Sequence, residues 1–224
     1  MKVMTYNVHS CKDINKKNSL NRIAELIRQE KPAVVGLNEI ESFSPRTWMV
    51  NQPKRLAMSR DMLYIYGPTL RLGPLGFFGN AILSRYPISK TANFRLPGSR
   101  EPRCCLKVEL RISGGNVTVF GTHLGLNRQE RAEQIAELAD IVSKEKNPVI
   151  LMGDFNCGTD QMQLLYKTLT DTGQLFGSGS TYPSSGPVDR IDYILVSPEC
   201  KCKNVYLPVS DASDHLPVIA ELEI

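Results

Sequence analysis

Polar residues able to do chemistry stand at the ends of short apolar runs along the chain. Asn7 closes the run 2–8, Glu39 follows Ala33 to Leu37, His123 follows Val117 to Gly121, and Asp154 follows Val149 to Met152. Asp192 opens the run 191–196, and Asp214 and His215 precede the run 217–222. Read as strands, the first four runs carry their polar residue at the C-terminus and the last two at the N-terminus. In an antiparallel or mixed sheet one edge gathers the C-ends of some strands and the N-ends of their neighbours. All of these groups can therefore converge on one rim. A cluster of carboxylates repels itself unless a cation sits among it. Oxygen ligands from Asp, Glu and Asn suit a hard ion, Mg2+ or Mn2+. Strand ends are polar in many proteins, and any one of these residues alone is unremarkable. Two of the chain's three histidines falling in the same pattern favours a site.

The elements that must position them follow from periodicity. Leu20, Ile23, Ala24 and Ile27 have helical spacing, so 19–30 reads as a helix ended by Lys31-Pro32. Ile135, Leu138, Ala139 and Val142 make a stripe that predicts a helix over 127–144, and 53–63 is read as a further helix. Residues 106–112 alternate, turn at Gly114-Gly115-Asn116 and continue through 117–121, a hairpin pattern. The rest of 43–80 is rich in Pro and Gly and reads as loops with short strands. Many strands with few long helices predict an α+β fold, a four-layer α/β/β/α sandwich of two mixed, mostly antiparallel sheets flanked by helices.

The 224 residues fit one domain, 1–224, better than two small ones. Lys and Arg exceed Asp and Glu by 27 to 23, a mildly basic balance that permits a polyanionic partner or an anionic membrane surface and demands neither. No apolar run approaches the ~20 residues that span a bilayer, and the N-terminus reads as a strand rather than a secretory signal. The six cysteines include no C-x-x-C pair and suit reduced thiols in a cytoplasmic protein. No oligomerisation element stands out, so a monomer is expected.

The ordered set of motifs resembles the endonuclease/exonuclease/phosphatase superfamily. It comprises Thr5-Tyr6-Asn7-Val8, Leu37-Asn38-Glu39-Ile40, Gly79-Asn80-Ala81-Ile82, Gly121-Thr122-His123-Leu124, Gly153-Asp154-Phe155-Asn156, Arg190-Ile191-Asp192-Tyr193 and Ser213-Asp214-His215-Leu216-Pro217. Each piece is weak alone, and the set spans nearly the whole chain in order. The resemblance implies a divalent-metal-dependent phosphodiester hydrolase. It implies Glu39 as principal metal ligand with Asn7 beside it, and Asp214 as the carboxylate of a second metal position or the coordination shell. Asp154 would deprotonate the attacking water, with Asn156 holding that water and a phosphate oxygen. His215 would contact the phosphate, oriented by Asp192, and His123 would donate to a non-bridging oxygen or assist the leaving group. Asn38 stands where many members carry Gln, a swap of neutral amides from which a small effect is expected.

The family often has an arginine near 100–103 that reaches the substrate phosphate. Arg100 and Arg103 both qualify, and Arg103 borders a strand and so is the more rigidly held. Asn80 is a further candidate to line the site. Arg131 and Gln134 read as structural, fixing their helix to the preceding loop. A nuclease acting on DNA is the leading reading. A lipid or small-molecule phosphoesterase, sphingomyelinase-like, shares every catalytic residue and would use Leu70 to Phe78 as an apolar rim for a lipid headgroup. A binding-only relative is disfavoured because no ligand or base is missing.

Overall fold

The computed structural model describes residues 1–224, which build two six-stranded sheets packed face to face. The first sheet runs β11-β12-β1-β2-β4-β3, from β1 (Lys2–Asn7), β2 (Val34–Ser42), β3 (Leu63–Leu72), β4 (Gly76–Ser84), β11 (Lys201–Tyr206) and β12 (Val218–Glu223). The second runs β5-β6-β7-β8-β10-β9, from β5 (Ile88–Arg95), β6 (Cys104–Ile112), β7 (Gly115–His123), β8 (Val149–Asp154), β9 (Thr170–Asp171) and β10 (Asp192–Val196). Each sheet is antiparallel except for one central parallel pair, β1 with β2 and β7 with β8. Helices α1 (Leu20–Glu30) and α2 (Gln52–Met58) cover the outside of the first sheet, and α3 (Arg128–Ser143) the outside of the second. A short α4 (Thr172–Phe176) follows β9.

The central strands are buried on both faces, which is why they read as continuous apolar runs. Successive side chains serve alternate layers. Ile150 and Met152 of β8 join Val3, Val34 and Ile82 between the sheets, while Val149 and Leu151 pack outward against Ile135 and Leu138 of α3. On the other side Met4, Tyr6 and Val35 meet Ile23 and Ile27 of α1. Helix α1 ends at Lys31, which takes φ 54° ahead of Pro32, and Asn127 caps α3 by accepting from the Gln129 and Glu130 N–H groups.

Three sequence readings are corrected. Residues 63–84 form a long hairpin, β3 with β4, instead of loops with short strands; Gly67, Pro68, Gly73, Pro74, Gly76 and Gly79 hide its pattern. The helix read at 53–63 stops at Met58, because Asp61 takes φ 52° and β3 starts at Leu63. Strand β2 does not end before Glu39. It continues to Ser42 through a bulge in which Asn38 and Glu39 together face Asn80, with Glu39 at φ 54°. Beyond β2, Phe43, Trp48 and Met49 also adopt φ between 52 and 59°, a conformation costly for bulky side chains.

Candidate active site

Strand register brings the polar ends together. Asn7 pairs with Asn38 across the parallel strands of the first sheet, and His123 with Asp154 across those of the second. Antiparallel β10 sets Asp192 opposite Asp154, and antiparallel β12 brings the 213–216 segment back to the end of β1, where Ser213 Oγ donates to the Asn7 carbonyl. The result is a cleft of about 300 Å3 whose lining includes Glu39, His123, Asp154, Asn156, Asp214 and His215.

Asp154 lies at its floor. Its Oδ2 accepts from Asn7 Nδ2 at 2.9 Å and sits 3.5 Å from His123 Nε2 and 3.8 Å from His215 Nε2, while Oδ1 accepts from the Asn156 N–H at 2.9 Å. Burial, reinforced by the negative charge of Asp192, raises its pKa from 3.8 to about 7. Burial opposes the charged form of His215, but Asp192 outweighs it by charge and by a 2.9 Å hydrogen bond from His215 Nδ1, and holds the imidazole pKa up to about 10. His215 is therefore a cation at neutral pH, with Nε2–H directed at the cleft. Thr181 Oγ1 fixes Asp192 from behind at 2.6 Å, and the Tyr182 ring lies 4.9 Å from the His215 ring. His123 goes the other way: burial, then the charges of Arg103 and His215, push its pKa well below 6.5. Its Nδ1 lies 2.9 Å from Arg103 Nη1, and its Nε2 lies 3.0 Å from Asn156 Nδ2 and 3.5 Å from Asp154 Oδ2.

Glu39, Asp214 and Glu101 are carboxylates open to the cleft, with side chains 26%, 30% and 46% exposed. Asp214 Oδ2 lies 3.2 Å from His9 Nδ1; burial would raise its pKa, but His9 and His215 outweigh that and lower it. Asp154, Asp192 and His215 also fall within 4.8 Å of one another. Within that trio His215 Nδ1 is spent on Asp192, which leaves Nε2 as its free ring nitrogen. Glu39, Asp154 and Asp214 all line the cleft, and carboxylate oxygens are the donors a hard cation favours.

Several sequence candidates land elsewhere than expected. Asn7 offers Nδ2 to both Glu39 (3.1 Å) and Asp154, and its Oδ1 accepts from the His9 N–H, so its amide bridges the two carboxylates. Asn80 is buried away from the cleft, accepting from Asn38 and donating to the Cys104 carbonyl. Arg100 lines a separate concavity with Asn127, Glu130 and Glu133. Arg103 is buried in the cleft wall, 3.0 Å from Glu101, with its Nε unpartnered. Arg131 donates to the Gly125 and Leu126 carbonyls and Gln134 accepts from the Gly125 N–H, which ties α3 to the loop after His123.

Asn38 matters more than a neutral amide swap implies. Its Nδ2 donates to Asn80 Oδ1 in its own sheet and to the Thr122 carbonyl in the other, and its Oδ1 accepts from the Asp154 N–H. Asn38→Ala strands these partners in a buried seam. A loss of about 2–4 kcal/mol in unfolding free energy, measured by urea titration, is expected. Thr181, Tyr182 and Glu101 escaped sequence reasoning altogether, since they lie in irregular segments with no period or motif to mark them.

The profile of the Endonuclease/Exonuclease/phosphatase family matches residues 4–215. The Escherichia coli protein YbhP is 27% identical over 244 aligned residues, covering 100% of this chain and 96% of that protein. A Staphylococcus aureus phospholipase C is 29% identical over 143 residues, covering 54% of this chain and 43% of that protein. The crystal structure of an endonuclease/exonuclease/phosphatase from Beutenbergia cavernae superposes over 100% of this chain and 71% of its own, with 27% identity and a TM-score of 0.87. With two six-stranded sheets placing carboxylates and imidazoles on one rim, and a family match across almost its whole length, the chain belongs to the Endonuclease/Exonuclease/phosphatase family.

Proposed function

We propose that the cleft hydrolyses a phosphodiester with the help of a divalent cation, Mg2+ or Mn2+. The observation that carries this reading is Asp154 Oδ2, ringed by Asn7 Nδ2, His123 Nε2 and His215 Nε2 within 2.9 to 3.8 Å. Glu39, with Asp154 and Asp214 nearby, would hold the cation. When bound it supplies charge neutralisation at the phosphate and lowers the pKa of the attacking water. Asp154 takes a proton from that water as its oxygen bonds to phosphorus, and the ester P–O bond to the leaving group breaks in line. The leaving oxygen takes its proton from solvent. The His215 imidazolium donates to a non-bridging oxygen, where charge builds in the transition state, and His123 stands beside it. Asn156 Nδ2, 3.0 Å from His123 Nε2 and bonded to the Leu124 carbonyl, bounds the same space.

Two substrate classes share this chemistry. Nucleic acid follows from the mild positive charge and calls for a row of phosphate contacts. A lipid headgroup is favoured by the lining: Arg103 is its one Lys or Arg, whereas Phe78, Leu126, Tyr182 and Ile191 contribute apolar surface. Bis-p-nitrophenyl phosphate, plasmid DNA and phospholipid vesicles, each with Mg2+, Mn2+ or EDTA, test both. Cleavage of the small diester with metal and none with EDTA is expected, and phospholipid turnover without plasmid nicking selects the lipid reading. A folded protein that leaves all three intact under every metal removes the diesterase reading.

A further inference from the structure

Beside the cleft lies a second hollow of about 230 Å3, lined by His9, Lys12, Arg46 and Leu70 and sharing Glu39, Phe78 and Glu101 with it. The ground around this hollow comes from three segments, 10–18, 43–49 and the hairpin tip 70–78. They are in contact. Ser42 pairs with Phe77, a Cβ on Gly76 would fall 2.8 Å from Ser44 Cα, and Lys12, Lys16, Arg46 and Trp48 line one small concavity.

These segments display an unusual surface. Trp48 is 88% exposed, and Phe43, Met49, Leu70, Leu75 and Phe77 on the same segments are exposed as well. Large apolar side chains gathered on one face of a soluble fold mark an interaction site. The backbone at Phe43, Trp48 and Met49 is held at positive φ to present them, with the turn fixed by Ser44 accepting from the Arg46 N–H and by Arg46 pairing to the buried Glu41 at 2.5 Å. The same three segments carry Lys12, Lys16, Lys17, Arg46 and Arg71. Their one acidic residue, Asp13, is buried and paired to Arg22. Exposed aromatics beside Lys12, Lys16, Lys17 and Arg71, which no carboxylate pairs, match the interface of an anionic bilayer, where indole rings settle at headgroup depth and basic side chains meet lipid phosphates.

We propose that this face docks the protein on an anionic membrane surface, with Trp48, Phe43 and Leu75 entering the interface and Lys12, Lys16 and Arg71 contacting headgroups. Docking sets the cleft mouth at the bilayer, because Leu70 belongs to both the patch and the hollow that opens on Glu39, and its register partner Phe78 lines that hollow and the cleft. The proposal deepens the lipid reading of the cleft and rests on it only for what is then cleaved, since attachment is measured without turnover.

Trp48 is the chain's one tryptophan, so its fluorescence reports the patch directly. The experiment is sedimentation with phosphatidylcholine vesicles with and without phosphatidylglycerol, in EDTA, with emission spectra of the bound fraction. Wild type is expected to sediment with the anionic vesicles and shift its emission to the blue. The double variant Phe43→Ser/Trp48→Ser should bind at least about tenfold more weakly, and each of Lys16→Glu and Arg71→Glu about fivefold more weakly or beyond. Leu175→Ser, on α4 of the other sheet, should bind as wild type does, and hydrolysis of bis-p-nitrophenyl phosphate by the Phe43/Trp48 variant should be unchanged. Equal binding to neutral vesicles, no binding to anionic ones, or a concentration-dependent dimer that buries Trp48 without lipid overturns the proposal. Loss of diester hydrolysis in wild type with vesicle binding intact overturns only the catalytic reading.

Discussion

Asp154→Asn is expected to lower kcat for bis-p-nitrophenyl phosphate by about 10^3-fold or more, while the protein stays folded. In the proposed mechanism this carboxylate accepts the water's proton, and general-base catalysis contributes on the order of 10^2–10^4-fold before any loss of cation affinity is added. An amide has nearly the same shape, so the environment around Asn7 and Asn156 survives with one acceptor fewer. The stability effect has its own sign. In the folded protein without metal the Asp154 pKa is raised from 3.8 to about 7, so the folded state favours the proton. That contribution is fully present below pH 3.8 and is lost as pH rises through about 7. Asn carries no such proton. The melting temperature of Asp154→Asn relative to wild type should therefore rise between pH 5 and pH 8 in EDTA, by about 2–4 °C for each kcal/mol for a chain of this size. Mg2+ should shrink the difference at pH 8 by stabilising wild type alone. A flat difference across that range would show that burial and Asp192 do not strain this carboxylate.

Gly153→Ala is expected to be the most damaging single methyl group in the molecule. Gly153 has φ 149°, a region reserved for glycine, and pairs with Thr122 of the parallel neighbour strand. A Cβ there would fall 1.8 Å from the Thr122 carbonyl oxygen. Backbone meets backbone, so no side chain can swing aside. Relief requires β7 and β8 to part next to His123 and Asp154. A loss above about 4 kcal/mol is expected, a large share of the stability of an ordinary domain, visible as a lower urea midpoint or as insoluble protein. Gly114→Ala, at φ 100° in the β6–β7 turn with open space around it, is the matched comparison and should cost only its local strain. Equal costs at the two positions would contradict the close strand approach at Gly153.

The site was legible where its strands are buried on both sides. Asn7, His123, Asp154 and Asp192 each bound an apolar run with no competing polar face, and two parallel pairs with antiparallel neighbours put those ends on one rim. The edge strands were not legible. β5 and β11 are largely exposed and polar, so β5 and β11 carry no apolar period. The bulge at Glu39 has no local signature either, because a glutamate at positive φ is imposed by the pairing of Leu37 and Ile40 to β4 and not by its own preference. Arg100 and Arg103 look alike in one dimension. Only the fold distinguishes the arginine buried against His123 from the one on a separate concavity. Asn38 was undervalued for the same reason, since its three bonds reach residues 42, 84 and 116 positions away.

That seam amide has a consequence for how the molecule comes apart. Glu39 and Asn7 ride on one sheet, Asp154 and His123 on the other, and Asn38 and Asn7 reach across. The reactive geometry is thus a property of the docked pair of sheets and belongs to neither alone. Each layer can keep its ladders and its helix cover while the two slip or breathe apart. A partly opened sandwich of this kind, the sort of sub-global excursion that folded proteins sample below full unfolding, would be inert with nearly all of its secondary structure in place. Turnover in this protein is in effect a gauge of interlayer registry.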